Sequence, residues 1–137
     1  MNNPPELRYA KSHEWVRRDG DVVTVGITAF AVEQLTEPTY LELPPVGKVV
    51  KAGDELGIIE SVKSTSPIYS PVAGEVVERN DLLVEDRAKK REANLGLVND
   101  DPFGRGWMVK IRLAPGATLD HLLTKDRYEE QLASEGH

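Results

Sequence analysis

The sequence predicts a mainly β domain with a few short helices, including helices at its C-terminus. Three features predict it. Short apolar, β-rich runs broken by turn residues fill the first three-quarters of the chain, two strand-turn units repeat within that stretch, and helix-type spacing is confined to a segment after Thr28 and to the C-terminal end. At 137 residues the chain is expected to form one domain, 1–137, large enough to bury a core without metal or disulfide staples.

Taken in order, His13-Glu14-Trp15-Val16 and Asp21 to Ile27 read as two strands joined by the turn signal Arg18-Asp19-Gly20. Phe30, Ala31 and Leu35 then follow Thr28, a residue able to cap, and this spacing predicts one short helix. Tyr40-Leu41-Glu42-Leu43 reads as a strand stopped by Pro44-Pro45, because proline lacks the ladder donor and restricts the residue before it. The repeat comes next. Gly47, Val49, Val50, Asp54 and Leu56 match Gly74, Val76, Val77, Asp81 and Leu83, and each unit reads as a strand followed by a turn. Gly53 falls opposite Asn80, and both residue types tolerate left-handed turn geometry. Between the repeats, Gly57-Ile58-Ile59 and Ile68-Tyr69 flank the polar run from Glu60 to Ser66, which reads as a hairpin tip carrying Lys63. At the end of the chain Leu119, Leu122 and Leu123 recur at helical spacing behind Thr118, and Asp126 with Glu129 makes a capping-box pattern, so one or two short helices are expected.

Composition narrows the function classes. The formal charge of −6 is spread along the chain with acids and bases interspersed, so neither a nucleic-acid face nor a polybasic membrane anchor is visible. Without cysteine the polypeptide has no thiol nucleophile and no disulfide, and any sulfur redox chemistry must come from a cofactor. Met1 to Ala10 lacks a charged segment followed by an apolar run, and no stretch approaches membrane-spanning length; a cytoplasmic monomer is the expectation. A small hydrolase would need a nucleophile beside a base, or a metal cluster. His13, His121 and His137 have no ligand-like spacing, and no phosphate-binding glycine loop occurs. His13, Trp15 and Trp107 are assigned packing or surface roles, since aromatic side chains supply large apolar area.

A lysine at the tip of a rigid hairpin suits a swinging-arm carrier: its amine can be acylated by a cofactor acid, and its flexible stem adds reach while the strands fix the anchor. Most turn lysines are merely solvated, so the surrounding residues decide. Glu60-Ser61-Val62-Lys63, followed by Ile68-Tyr69-Ser70-Pro71-Val72-Ala73-Gly74-Glu75-Val76, resembles the lipoylation segment of glycine cleavage system H proteins. Ser12-His13-Glu14-Trp15-Val16, Val25-Gly26-Ile27-Thr28, Glu42-Leu43-Pro44 with Val46-Gly47, Leu97-Val98-Asn99, and Asp101-Pro102-Phe103-Gly104 with Gly106-Trp107 fall in that family's order, so the resemblance covers nearly the whole chain.

The resemblance implies a lipoyl/biotinyl-type β-sandwich, a barrel-sandwich hybrid with short helices, and lipoate covalently attached to Lys63. It implies a non-catalytic role: carrying an aminomethyl group between glycine decarboxylase, the aminomethyltransferase and dihydrolipoyl dehydrogenase. Glu60 and Val62 match the surface read by lipoate-attachment enzymes, and Ser12 and Glu14 match positions associated with arm docking, where a carboxylate can pair with the cationic amine. The plain alternative for Ser12 and Glu14 is a solvated strand end. Biotinyl domains usually bracket their lysine with methionines, whereas Lys63 lies between Val62 and Ser64. Lipoyl domains of oxo-acid dehydrogenases normally use an Asp-Lys-Ala segment and flexible tethers, neither of which occurs here.

The chain also departs from the family pattern. Pro67 stands where the family typically has an aspartate, and Leu35-Thr36-Glu37-Pro38-Thr39 replaces the usual leucine-glycine-acidic segment. About eight extra residues fall between Asn80 and Leu97, including 85–92, where Glu85 with Lys89 and Asp86 with Lys90 stand at supportive spacing for a charged surface helix. These departures support an alternative, an H-like lipoate-binding protein carrying sulfur intermediates in a heterodisulfide-reductase-like sulfur oxidation pathway; a third reading, an interaction module whose lysine is never modified, has the intact Glu60-Ser61-Val62-Lys63 segment against it.

Overall fold

Alternating side chains along the first two long strands divide the molecule into an inner core and an outer one. The computed structural model describes residues 3–84, 88, 90 and 92–135. Strand β1 (Arg8–Tyr9) pairs with β2 (Glu14–Asp19), and β2 pairs antiparallel with β3 (Val22–Ile27) in the register Glu14↔Ile27 to Asp19↔Val22. The expected hairpin is present, turning at Gly20, where φ is 67°. Directly opposed residues share a face, so Glu14 and Val16 lie on the side of Val23, Val25 and Ile27, while Trp15 lies on the other side with Gly26.

That outer face explains Gly26. A Cβ there would lie 2.7 Å from the Trp15 ring, so glycine lets the indole lie flat on the sheet. Trp15 packs with Leu7, Tyr9, Ala29, Phe103 and Tyr128 in the outer cluster, and its indole N–H donates to the Pro102 carbonyl at 2.9 Å.

Helix α1 (Ala29–Leu35) follows as the sequence predicts, with the Thr28 hydroxyl accepting from the Ala31 N–H at 3.3 Å. The remaining elements are β4 (Pro38–Glu42), β5 (Val49–Val50), β6 (Glu55–Ser61), β7 (Thr65–Tyr69), β8 (Gly74–Arg79), a 3-10 turn at Asp81–Leu83, α2 (Gly96–Asp100), β9 (Val109–Leu113) and α3 (Lys125–Glu135). They form a six-stranded sheet in the order β1-β2-β3-β9-β8-β5 and a three-stranded sheet in the order β4-β6-β7. Val16, Val25, Val76 and Ile111 of the larger sheet share one buried cluster with Leu41, Ile59 and Ile68 of the smaller. This is the expected β-sandwich with short helices.

Three expectations need correction. The repeated units do pair with each other, Val49↔Glu75 and Val50↔Gly74, but their turns differ. Gly53 adopts φ of 93°, whereas Asn80 has φ of −81° and caps the 3-10 turn, its carboxamide donating to the carbonyls of Arg105 and Trp107. Among the C-terminal leucines no helix forms. Tyr9 and Leu123 exchange backbone hydrogen bonds of 2.8 and 2.7 Å, and burial of Leu122 in the core overrides the helical spacing. The single helix there is α3, and its cap is Thr124, whose hydroxyl accepts from the Arg127 N–H at 3.3 Å. Asp126 sits in the first turn instead, where its charge favours the positive end of the helix. The helix expected over 85–92 lies largely outside the described residues; Ala88 and Lys90 are turn residues, and Lys90 has φ of 54°. No helix among the described residues is long and apolar enough to cross a membrane.

Candidate functional site

The two strands that flank Lys63 are the best-paired part of the smaller sheet. Glu60↔Thr65 closes the β6–β7 ladder, and the Ser61 N–H reaches the Ser64 carbonyl at 2.8 Å, leaving Val62-Lys63 as a two-residue loop. Such short loops usually need residues with positive φ, yet neither Val62 nor Lys63 has one. Ser61 closes the turn instead: its hydroxyl accepts from the N–H groups of Lys63 and Ser64, each at 3.2 Å. Lys63 is exposed, and its Nζ donates to the Gln34 carbonyl of α1 at 3.3 Å. Val62 is 80% exposed beside it, and Glu60 is half-buried in β6 between Thr65 and Tyr40.

A cavity of about 240 Å³ opens beside the tip. Helix α1 lines it with Phe30, Ala31, Gln34 and Leu35, the tip and β7 line it with Ser64, Ser66, Pro67 and Ile68, and the segment entering β2 contributes Ser12, His13 and Glu14. The structure therefore gathers Ser12 and Glu14 onto one cavity with the neighbours of Lys63, while Glu60 and Val62 lie outside its lining. Pro67 sits on β7, an edge strand, where a missing ladder donor is tolerated.

Glu14 is no solvated strand end, being only 2% exposed. Its carboxylate accepts from the Ser12 hydroxyl and from the Tyr69 N–H. Burial pushes its pKa up to about 7, against the pull of those two hydrogen bonds. An acid of this kind, on the wall of a largely apolar cavity, can pair with a cationic group brought in from outside.

His13 has the packing role expected of it, but in a network. Its Nδ1 lies 2.7 Å from the Tyr128 hydroxyl, its Nε2 lies 3.1 Å from the Glu135 carboxylate, and its ring lies 4.8 Å from that of Phe30. Burial holds the imidazole below its ordinary pKa despite the opposing pull of Glu135. Sequence reasoning missed Phe30, Gln34 and Tyr128 as residues of this neighbourhood. Phe30 and Gln34 carry a weak signal in the helix predicted after Thr28, while Tyr128, over a hundred residues from His13, carries none.

A family model described as glycine cleavage H-protein matches residues 7–135. The chain is 49% identical over 132 residues to a glycine cleavage system H protein of Alcanivorax borkumensis, covering 96% of this chain and 97% of that one. With its counterpart from Nitratidesulfovibrio vulgaris it shares 46% identity over 137 residues, the full length of both. The crystal structure of a glycine cleavage system H protein from Mycobacterium marinum superposes with a TM-score of 0.77 at 33% identity, covering 98% of this chain and all of that one. The chain belongs to the glycine cleavage H-protein family.

Proposed function

We propose that this protein is the non-catalytic carrier of a glycine cleavage system, with lipoate joined through an amide to Lys63. The observation that carries the attachment site is the placement of Lys63: an exposed amine on a two-residue loop, braced by Ser61, with a partly apolar cavity at its side. When attached, the lipoyl group supplies the dithiolane redox pair that a chain without cysteine lacks. The protein's own residues anchor, brace and receive. Lys63 forms the amide, Ser61 and the β6–β7 ladder hold its backbone still, and Ser12 with Glu14 offers a docking site for the cationic end of an aminomethyl cargo. Ile27, Leu35 and Ile68 along the cavity exclude water from the docked cargo.

Glu60 and the exposed Val62 are the surface on which lipoate-attachment enzymes would recognise the tip. The successive partners are glycine decarboxylase, the aminomethyltransferase and dihydrolipoyl dehydrogenase, reached by a cytoplasmic monomer that gains from tethering, since a held intermediate meets each enzyme at raised effective concentration. The names of the relatives favour this cargo over sulfur intermediates.

The attachment is tested by intact mass. Protein from a lipoate-replete host should carry one lipoyl addition, and Lys63→Arg should lack it, because guanidinium is no substitute for an amide-forming amine. Lipoylation persisting in that variant would move the site elsewhere.

A further inference from the structure

We infer that the buried hydroxyl of Tyr128, on the C-terminal helix, is a positioning group for the cavity beside Lys63: it ties together two of the three segments that line the cavity. The inference rests on the reading that cargo docks at Glu14. Tyr128 is fully buried, with its ring stacked on Tyr9 at 4.7 Å and 9°. Its hydroxyl lies 2.7 Å from Thr28 Oγ1 and 2.7 Å from His13 Nδ1. Thr28 caps α1, which brings Phe30 and Gln34 to the cavity, and His13 directly precedes Glu14. One oxygen therefore spans the start of the helical side and the segment that delivers the carboxylate.

The donors run in one consistent direction. The Glu135 carboxylate only accepts, so a neutral His13 donates Nε2–H to it and leaves Nδ1 to accept from the Tyr128 hydroxyl. The one Tyr128 proton is then used, so the Thr28 hydroxyl donates to the Tyr128 oxygen while accepting from the Ala31 N–H. The neutral imidazole this requires agrees with its lowered pKa. Consecutive bonds of this kind polarise one another, and the chain also braces His13, whose φ of 76° is a conformation that persists only where surrounding contacts enforce it. Apart from this oxygen, the same two segments are joined by the Thr28 N–H to the His13 carbonyl at 3.0 Å.

Tyr128→Phe tests the role because it keeps the stacked ring and removes only the hydroxyl, leaving the Thr28 hydroxyl proton and His13 Nδ1 without the partner they share. In the unlipoylated protein, amide hydrogen exchange at Thr28 and Ala31 should quicken by about tenfold relative to the amides of β9, a local loosening. In the lipoylated protein, loaded by glycine decarboxylase and glycine and then freed of the enzyme, ammonia release should quicken by about fivefold, while Thr28→Ser, which retains a hydroxyl, stays near wild type. Glu14→Gln, run in parallel, separates the two readings. If exchange at Thr28 and Ala31 does not change in Tyr128→Phe, the tie is overturned whatever the cargo. If exchange quickens and Glu14→Gln releases ammonia faster but Tyr128→Phe does not, the hydroxyl holds the fold without positioning the cavity, and the inference is overturned. If Glu14→Gln matches wild type, docking at Glu14 fails and removes the site the hydroxyl would serve.

Discussion

The Glu14 carboxylate accepts the Tyr69 backbone N–H at 3.2 Å, so a side chain of the six-stranded sheet satisfies a donor of the smaller sheet's edge strand. The bond joins the two halves of the sandwich at the cavity, and it joins them through a group that titrates near neutrality.

Glu14 should therefore give stability a pH slope. Burial raises its folded pKa to about 7 from an ordinary 4.5, so between those values the folded chain holds a proton that the unfolded chain releases. Its contribution is fully present below the unfolded value and is lost as pH rises through the folded one. Urea unfolding at stepped pH should show wild type losing up to about 1.4 kcal/mol per pH unit relative to Glu14→Gln within that window. Parallel profiles for the two proteins would refute the burial argument.

Lys63→Arg should leave stability within about 0.5 kcal/mol of wild type, because an exposed side chain in a turn contributes little packing and the Ser61 bonds engage only backbone groups. Thermal melts check this. A loss of cooperative unfolding would mean that the lysine's bond to Gln34 holds α1 in place.

Helix α1 ends at Thr36, whose φ of 67° and ψ of −126° are strained for a β-branched residue. Thr36→Gly removes that strain, about 1–3 kcal/mol, and adds the larger backbone entropy of unfolded glycine, about 0.5–1 kcal/mol. The variant should gain about 1 kcal/mol by urea unfolding, and a destabilised variant would show that Thr36 makes compensating contacts.

The legibility of these features in the sequence follows their range. Thr28 as a cap, the hairpin through Gly20 and the tip around Lys63 depend on neighbours within a few residues, and all were readable. The leucines at 119–123 mislead because their helical spacing is local, while the partner of Leu123, Tyr9, is not. Strand β9 went unassigned although Val109 and Ile111 alternate, as it is a short run defined by pairing with β3 and β8 on either side. For the site, the family pattern singled out Ser12 and Glu14, but only the folded chain reveals that Glu14 is buried. No sequence pattern links Tyr128 to His13.

Pro67 supplies the last prediction. It lines the cavity from an exposed position on an edge strand, so Pro67→Asp disturbs neither the core nor a central ladder. In the loaded protein the new carboxylate would join Glu14 in facing the cationic cargo, lengthening retention; being exposed, it contributes only about 0–1 kcal/mol, at most about fivefold in lifetime. Without cargo the same charge opposes ionisation of Glu14, so its titration should move further up. The two effects share one cause and are read separately, by ammonia release from loaded protein and by the pH dependence of unfolding for the unmodified one. Slower release with an upward shift fits two acids on one cavity. Neither change would mean that Pro67 is too far from Glu14 to share its cargo, and a wild type that a competent decarboxylase cannot load would put the sulfur-carrying alternative in place of the aminomethyl reading.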